Sequence, residues 1–275
     1  MPIILDAMGS DNYPSPEIEG AIQAANLMDE TIILVGDRLI INDKLNALAP
    51  NHPKISIEHA PEVVEMWDKP VESAKAKPNN SMTIGIGLLK TGKGEAFVTA
   101  GNTGGAMFNA MRILGRIKGV QRPALTATFP TLKGKCIVID VGANSDCRPD
   151  FLVQFGIMGS IYAQNVLGIA NPKIGLLSNG EEAGKGNQLV RDAYKLFEHS
   201  GLNFYGNIEP KELFAGEADV VVADGFTGNI MMKSGEAVAK LVTTVLKDEL
   251  MRSSRTKLGA LLVKPAFSKI RSLVD

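Results

Sequence analysis

The sequence predicts an α/β fold in which a mostly parallel sheet is covered by helices on both faces. Short apolar runs rich in β-branched residues recur along the chain, and stretches with helical periodicity lie between them. Such alternation is typical of parallel sheets, because parallel strands are joined by crossovers that usually contain a helix. Hydrophobic residues make up 45% of the 275 residues, which is enough to form a globular core.

The predicted strands are short, continuous apolar runs, as expected for strands buried on both faces. In chain order they are Ile3 to Leu5, Ile32 to Val35, Ala96 to Thr99, Cys136 to Val141, Ile174 to Leu177 and Val220 to Ala223. The predicted helices between and after them are Pro16 to Leu27, Met82 to Leu89, Asp150 to Val166, Gln188 to Phe197 and about Asn229 to Leu250.

The chain contains no internal repeat, and its only linker-like stretch is Asp68 to Ser81, which could also be a functional loop. We therefore predict one α/β domain over residues 1–275, in which residues 252–275 form a basic amphipathic tail.

Composition and cysteine usage narrow the class of protein. A formal net charge of -1 gives no general reason to expect a nucleic-acid partner. Cys136 and Cys147 lack neighbouring Cys or His residues at ligand spacing, so we predict reduced thiols and no metal site. No basic leader precedes the first strand, and no apolar run approaches the roughly 18 residues of a membrane span. We therefore expect a cytoplasmic protein.

Loops rich in glycine and asparagine follow five of the predicted strands. They are Asp6 to Asp11, Ala100 to Gly105, Gly142 to Cys147, Asn179 to Asn187 and Asp224 to Asn229. Ligands collect at the carboxyl ends of parallel strands, and glycine lets backbone amides approach an anion closely. We predict that these loops line one cleft that binds a phosphate-like anion, although any single loop could be only a tight turn and helix cap.

Several common catalytic motifs are absent from the sequence. The loops match neither of the glycine-rich nucleotide-binding patterns, and the chain has no GxSxG nucleophile elbow. His52, His59 and His199 fall outside the loops, so a Ser-His-Asp triad is not expected.

Lys185 lies just before a predicted helix, where its ammonium group could face a bound anion or only solvent. Glu181 and Glu182 could act as acid–base groups, orient Lys185 or cap the helix. Asp146 could orient a donor or stabilise its own turn. Cys147 has no histidine nearby in the sequence, which favours a structural thiol over a nucleophile.

Six motifs in order resemble the PlsX family of phosphate acyltransferases of bacterial phospholipid synthesis, over almost the whole chain. They are Leu5 to Gly9, Ala100 to Gly104, Arg122 to Ala124, Asp140 to Asn144 with Asp146-Cys147, Gly180 to Glu182 with Lys185 to Asn187, and Asp224 to Asn229. The resemblance implies a three-layer α/β/α fold similar to isopropylmalate dehydrogenase and phosphotransacetylase. It also implies a homodimer without metal or cofactor that transfers a long-chain fatty acyl group from acyl carrier protein to inorganic phosphate.

The sequence departs from that family in three places. Lys75 to Ser81 lacks the basic-then-serine pattern expected there, which puts substrate contacts of this loop in doubt, and Ser178-Asn179 replaces a more usual Asn-Ile pair. The family also usually continues beyond such a tail, so a truncated or naturally short version is expected.

The resemblance suggests a mechanism in which phosphate, held by loop amides and Lys185, attacks the thioester carbonyl directly. Asn144, Asn187 and Asn229 are then the candidate oxyanion donors, and we predict these residues and Lys185 to be catalytic. The predicted phosphate- or substrate-binding residues are Asp6, Gly9, Gly101, Asn102, Thr103, Gly104, Asp146, Glu181, Gly186, Asp224, Thr227 and Gly228.

The tail from Arg252 to Val274 is basic and amphipathic. Its basic residues are Arg252, Arg255, Lys257, Lys264, Lys269 and Arg271, and its large apolar residues are Leu258, Leu261, Leu262, Phe267, Ile270 and Leu273. It could lie peripherally on an anionic membrane, dock on the acidic acyl carrier protein, or pack as a helical hairpin in a dimer. Pro265 is predicted to break it into two short pieces.

Two other functions remain open from the sequence. The fold also suits an NAD-linked decarboxylating dehydrogenase or a phosphotransacetylase acting on coenzyme A thioesters, although no clear metal, adenosine or coenzyme A site is visible. A non-catalytic regulator that binds phosphate or acyl-phosphate is the alternative outside enzymes.

Overall fold

The computed structural model describes the backbone of residues 1–274 and the side chains of residues 1–265 and 267. The described chain separates into two compact units, Met1–Lys118 and the part from Gly119 onward. Each unit contains its own sheet, and the expectation of a single domain stays a prediction.

The sheet of the first unit is fully parallel, in the order β3-β2-β1-β4. Its strands are β1 (Ile3–Asp6), β2 (Ile32–Gly36), β3 (Ile55–His59) and β4 (Ala96–Val98). The helices of this unit are α1 (Ser15–Leu27), α2 (Arg38–Leu48), α3 (Pro70–Ala76), α4 (Ser81–Lys90) and α5 (Thr103–Ile113). The central strands β1 and β2 provide buried residues to two clusters, one with α1 and α2 and the other with α4.

The sheet of the second unit has the order β5-β6-β9-β7-β8 and is parallel except for the β5–β6 pair. Its strands are β5 (Thr126–Thr131), β6 (Gly134–Ile139), β7 (Ile174–Leu177), β8 (Phe204–Ile208) and β9 (Val220–Val222). The helices are α6 (Pro149–Leu167), α7 (Gln188–Glu198), α8 (Pro210–Ala215), α9 (Gly225–Leu250) and α10 (Ser254–Val274).

Both faces of this second sheet are buried, which gives three layers. Along β9, Val220 and Val222 join a cluster that includes residues of α6 and α7. Val221, between them, joins a different cluster on the opposite face, with residues of α8 and α9. Successive side chains of a strand point to opposite faces, so a strand buried on both faces must be apolar throughout. This confirms the prediction of a mostly parallel α/β fold.

The structure contains every predicted strand and adds β3, β5 and β8. No residue of β3 is fully buried, β5 includes Pro130 at the sheet edge, and β8 includes Gly206 with a φ of +117°. Each of these features weakens the apolar pattern of a strand. The stretch from Asp68 to Ser81, predicted as linker-like, contains the helix α3.

The prediction that Pro265 breaks the tail is wrong, because α10 continues through Pro265. A proline removes one backbone hydrogen bond, but flanking turns and packing can keep the helix continuous. Here Leu246 and Leu250 of α9 line an apolar pocket together with Ala260 and Phe267 of α10. The side chains of Lys269, Ile270, Arg271 and Leu273, which belong to the predicted amphipathic pattern, lie outside the described residues.

Across the described residues, no helix has both the length and the apolar character needed to cross a bilayer. The same part of the chain holds no group of three or more His, Cys, Asp or Glu residues arranged to bind a metal ion.

Candidate functional site

Three of the predicted loops meet at the carboxyl ends of β6, β7 and β9 in the second unit. The loop after β6 is tied to the start of α9, because the backbone N–H of Gly225 donates to the carbonyl oxygen of Asn144 at 2.7 Å. The loop after β7 leads into α7, whose first residue is Gln188. Two helix N-termini, α7 and α9, therefore begin at this edge of the sheet, where their dipoles favour an anion.

Asp140 organises the loop after β6. Its buried carboxylate accepts hydrogen bonds from the backbone N–H groups of Leu125, Gly142, Ala143 and Asn144, at 2.8 to 3.1 Å. The side-chain amide of Asn144 also donates to Asp140, at 2.8 Å. A buried carboxylate is stabilised when several such donors surround it, so Asp140 fixes the path of this loop.

The N-cap residues of α7 and α9 are both predicted site residues. The side-chain oxygen of Asn187 accepts from the N–H of Val190 at 2.9 Å. The carboxylate of Asp224 accepts from the N–H and from the hydroxyl group of Thr227, at 2.9 and 2.8 Å. Both residues therefore have a structural role, but the amide N–H groups of Asn187 form no hydrogen bond within the described part of the chain.

A cavity of about 850 Å³ opens beside these loops. Its polar end is formed by Ser178, Asn179, Gly186, Asn187, Asp224 and Thr227. Its remaining walls are mainly apolar and come from Leu152, Leu176, Leu177, Val190, Phe214, Ile230, Met231, Val238 and Ala239. The cavity thus joins a set of polar groups to an apolar channel that is open to solvent along α9, where Ile230 and Val238 are 50% and 60% exposed. Such a combination suits an amphipathic ligand.

One face of α9, from Thr227 to Ala239, forms a wall of this channel. The lining residues recur at helical spacing: Thr227, then Ile230 and Met231, then Ser234 and Gly235, then Val238 and Ala239. With a rise of 1.5 Å per residue, Thr227 and Ala239 are roughly 18 Å apart along the helix axis. The channel is therefore long enough to hold an extended alkyl chain.

Two residues at the polar end were not among the predicted site residues. The Oγ atom of Ser178 is buried and has no hydrogen-bond partner among the described residues. The side-chain oxygen of Asn179 accepts from the N–H of Gly186 at 2.9 Å, which leaves its amide N–H groups available. Asn179 begins one of the loops predicted to line the cleft, whereas Ser178 stood out in the sequence only as part of a departure from the family pattern. A buried hydroxyl without a partner is visible only in the structure.

A second, polar cavity of about 380 Å³ shares Asn179 with the first one. It is lined by Asn179, Gly180, Glu181, Glu182, Lys185, Glu209 and Lys211. The aliphatic stem of Lys185 lies against Gly180, where a Cβ atom would be 2.7 Å from Lys185 Cγ. The Lys185 ammonium group forms no ion pair or hydrogen bond within the described chain, whereas Lys211 pairs with Glu181 and Glu209. Lys185 is thus a cation available to an anionic ligand.

The predicted oxyanion donors have different surroundings. Both N–H groups of the Asn144 amide are engaged, one with the carbonyl oxygen of Pro123 at 2.7 Å and one with Asp140. Asn229 is exposed and lies near Gly142, since a Cβ atom on Gly142 would be 3.9 Å from Asn229 Nδ2. Asp146 is exposed and makes no hydrogen bond or ion pair with another described residue.

Burial makes Cys147 a poor nucleophile. Desolvation, and then the nearby charges of Asp140 and Asp224, raise the pKa of this thiol to about 11. Its Sγ atom donates to the carbonyl oxygen of Asn144 at 3.3 Å. At neutral pH the group is a thiol and not a thiolate, which agrees with the structural role predicted for it.

The remaining predicted residues belong to the first unit, where the loops after β1 and β4 meet. Asp6 is buried; its carboxylate accepts from the Thr99 hydroxyl at 2.7 Å and from the N–H of Met8 at 3.1 Å. Burial raises the pKa of Asp6. A Cβ atom on Gly9 would lie 2.8 Å from the N atom of Gly101, so the two loops touch through glycines.

Asn102 caps α5 in this unit and holds a neighbouring loop. Its side-chain oxygen accepts from the N–H of Gly105, and its amide donates to the carbonyl oxygens of Glu65, Met66 and Asp68. Thr103 is exposed at the start of α5, and a Cβ atom on Gly104 would lie 2.7 Å from Pro70 Cγ. The loops thus form two groups, one in each unit, and the prediction that all five line one cleft stays a prediction.

Comparison with known proteins relates these features to a family. A family model described as "Fatty acid synthesis protein" matches residues 1–275. The phosphate acyltransferases of Elusimicrobium minutum and Pelobacter propionicus are 45% and 46% identical to this chain. Each alignment covers the whole of this chain and 81% or 80% of the other protein.

Among solved structures, a phosphotransacetylase from Streptococcus pyogenes superposes with a TM-score of 0.65 at 18% sequence identity. The superposition covers 87% of this chain and 82% of the other, and it shows a shared fold. The sequence matches, which cover the whole of this chain at much higher identity, show that it belongs to the phosphate acyltransferase family.

Proposed function

We propose that this enzyme transfers a long-chain fatty acyl group from the thioester of acyl carrier protein to inorganic phosphate, giving an acyl-phosphate for phospholipid synthesis. The observation that carries the proposal is the cavity of about 850 Å³, whose polar end adjoins Lys185 and whose apolar channel follows α9. The names of the relatives support phosphate as the acceptor.

Phosphate would bind where the loop after β7 meets the start of α7. Lys185 supplies a positive charge there, and Asn179, which lines both cavities, supplies neutral N–H donors. Gly186 has a φ of +92°, and a Cβ atom on it would lie 2.5 Å from Val190 Cγ1, so only glycine fits this turn. Backbone and side-chain donors can thus surround an anion without neutralising it completely.

The acyl chain would occupy the apolar channel along α9. Each methylene group transferred from water to such a channel contributes about 0.8 kcal/mol. A channel roughly 18 Å long therefore favours long acyl chains strongly over short ones.

The chemistry requires no nucleophile from the protein. A phosphate oxygen attacks the thioester carbonyl carbon, the new C–O bond forms, and the C–S bond breaks. The sulfur leaves with the bonding electron pair, and the proton lost by the attacking hydrogen phosphate balances the one it takes up to become the free thiol of the carrier. Asn187 and Asn229 are the proposed donors to the oxyanion of the tetrahedral intermediate, and Asn144 is proposed to hold the loop in place.

The experiment that tests this function compares donors. Purified enzyme would be given phosphate with a palmitoyl group on either acyl carrier protein or coenzyme A, and acyl-phosphate would be trapped with hydroxylamine. Product from the carrier-bound donor supports the proposal. Product from the coenzyme A thioester alone would favour a phosphotransacetylase-like enzyme, and phosphate binding without product from either donor would favour a regulator.

We also propose that α9 forms the interface of a homodimer. Leu241, Val242 and Val245, which lie beyond the channel-lining residues, are close together on the helix surface, and each is more than half exposed, at 53 to 62%. A row of exposed aliphatic side chains on one helix is typical of an interaction surface. Sedimentation of Leu241→Asp should then show monomers where the unmodified enzyme shows dimers; a dimeric variant would contradict this interface.

The helix α10 is the proposed site of peripheral membrane association. Arg252, Arg255, Lys257 and Lys264 are exposed, as are Leu258, Leu261 and Leu262. Basic and apolar residues on one helix suit an anionic bilayer, where an acyl-phosphate would be delivered. Co-sedimentation with anionic but not with neutral liposomes is expected, and no binding to either would contradict it.

A further inference from the structure

We propose that Lys211 is a positioning residue: by holding the carboxylate of Glu181, it keeps the ammonium group of Lys185 free to bind phosphate. This inference rests on the proposed function and goes further, because it assigns a role to a residue that does not itself contact the reacting groups. It also gives Glu181, which we predicted to contact phosphate, a different task.

Lys211 forms ion pairs with two glutamates from different elements. Its Nζ atom lies 3.0 Å from Glu181 Oε1 and 2.7 Å from Glu209 Oε2. Glu209 is the N-cap residue of α8, and its side chain is fixed by a capping box with Glu212. The hydrogen bond from Lys211 holds the pKa of Glu181 below its usual value. Lys211 therefore connects a rigid helix start to the loop that carries Lys185.

The ion pair between Lys211 and Glu181 is not explained by a contribution to the stability of the fold. Glu181 and Lys211 are 55% and 66% exposed, and exposed ion pairs contribute little to folding. Lys211 also lies in the first turn of α8, where the helix dipole disfavours a cation. A lysine at this position is therefore better explained by what it does to the neighbouring cavity.

The charges that line the polar cavity indicate how Lys211 would affect the binding of phosphate. Its lining has the carboxylates of Glu181, Glu182 and Glu209 and the ammonium groups of Lys185 and Lys211. Without Lys211, Lys185 would be the one cation left in this lining. The aliphatic part of the Lys185 side chain lies against Gly180, the residue that precedes Glu181 in sequence. The released Glu181 carboxylate would then compete with phosphate for Lys185, and the cavity would also repel phosphate more strongly.

The first test is the kinetics of Lys211→Met. We expect the KM for phosphate to rise about two- to fivefold, which is the range expected for one exposed ion pair. The KM for the acyl donor should stay unchanged, and Lys211→Arg should restore the KM for phosphate because arginine can pair with both glutamates. A loss of thermal stability with an equal effect on both substrates would instead indicate a merely structural role.

The second test removes the competing carboxylate. Lys211→Met combined with Glu181→Gln should recover most of the affinity for phosphate. Lys211→Met combined with Glu182→Gln is the matched control, because it changes the charge of the cavity equally but leaves Glu181 free. Equal recovery in both double variants would overturn the proposal and indicate that only total charge matters.

The third measurement does not depend on turnover. Lys185 is labelled with trace acetic anhydride in phosphate-free buffer and quantified by mass spectrometry, with exposed lysines as internal standards. We expect labelling of Lys185 to fall about two- to fivefold in Lys211→Met and to recover when Glu181→Gln is added. Unchanged labelling in Lys211→Met would overturn the proposal. If the unmodified enzyme lacked phosphate-dependent activity, the proposed function would fail, while this labelling would still decide the role of Lys211.

Discussion

Gly228 in the first turn of α9 lies directly against the carbonyl oxygen of Asp140 at the end of β6. A Cβ atom on Gly228 would overlap that oxygen, far inside van der Waals contact. The close approach lets α9 begin at the same point where the Asp140 carboxylate organises the loop of residues 142–144.

We therefore predict that Gly228→Ala destabilises the protein by about 1–3 kcal/mol, because backbone must move to relieve the clash. Thermal unfolding measures this directly. Gly259→Ala in α10 is the matched control, since a Cβ atom there meets nothing within 4 Å. Equal stability of the two variants would show that α9 and β6 do not approach each other so closely.

Asn187 offers a way to separate helix capping from catalysis. Asn187→Ser keeps an oxygen that can accept from the N–H of Val190, but it removes the amide N–H groups at the polar end of the cavity. We expect near-normal stability with kcat lowered by about 10²- to 10³-fold, as for the loss of an oxyanion donor. A variant that folds normally and keeps its turnover would exclude Asn187 as a donor.

The raised pKa of Cys147 predicts a specific pH dependence. The thiolate is the reactive form, so with a pKa of about 11 roughly one thiol in ten thousand is ionised at pH 7. Alkylation by iodoacetamide should accelerate about tenfold per pH unit while the protein stays folded, without a plateau near neutrality. Cys147→Ser should keep its turnover. Rapid alkylation at pH 7 that abolishes activity would instead support a catalytic thiol.

The sequence predicted the parallel α/β fold because strands buried on both faces must be apolar throughout, and β7 and β9 have that pattern. It did not predict β8, because Gly206 interrupts the run, or the continuity of α10, because a local rule for Pro265 ignored packing against α9. Local patterns therefore indicate strands whose burial is uniform, and they fail where tertiary contacts override a local preference.

For the site, glycine and asparagine spacing pointed to loops whose residues line the cavity in the second unit, since strand ends and helix caps leave a clear signal in sequence. Ser178 and Lys211 left no such signal. What distinguishes them is a buried oxygen without a partner for Ser178, and ion pairs that join α8 to the loop after β7 for Lys211, which only the three-dimensional arrangement reveals. Likewise, no periodicity distinguishes the channel-lining residues of α9 from an ordinary core.

We predict that the size of the residue at position 235 determines which acyl-chain lengths the enzyme accepts. This residue lines the channel midway along α9, and a Cβ atom on it meets nothing within 4 Å, so a larger side chain can project without disturbing the helix. Gly235→Leu should lose turnover with palmitoyl donors and keep it with short-chain donors, whereas Gly259→Leu should affect neither. An equal loss for all chain lengths would mean that the acyl chain lies elsewhere.

The most direct test of the central claim is phosphate-dependent release of free thiol from palmitoyl acyl carrier protein by the unmodified enzyme and by Lys185→Ala. We predict release that requires phosphate and that falls sharply in the variant, because the free ammonium group of Lys185 is the cation proposed to bind phosphate. Release that is independent of phosphate, or equal in the two proteins, would contradict it.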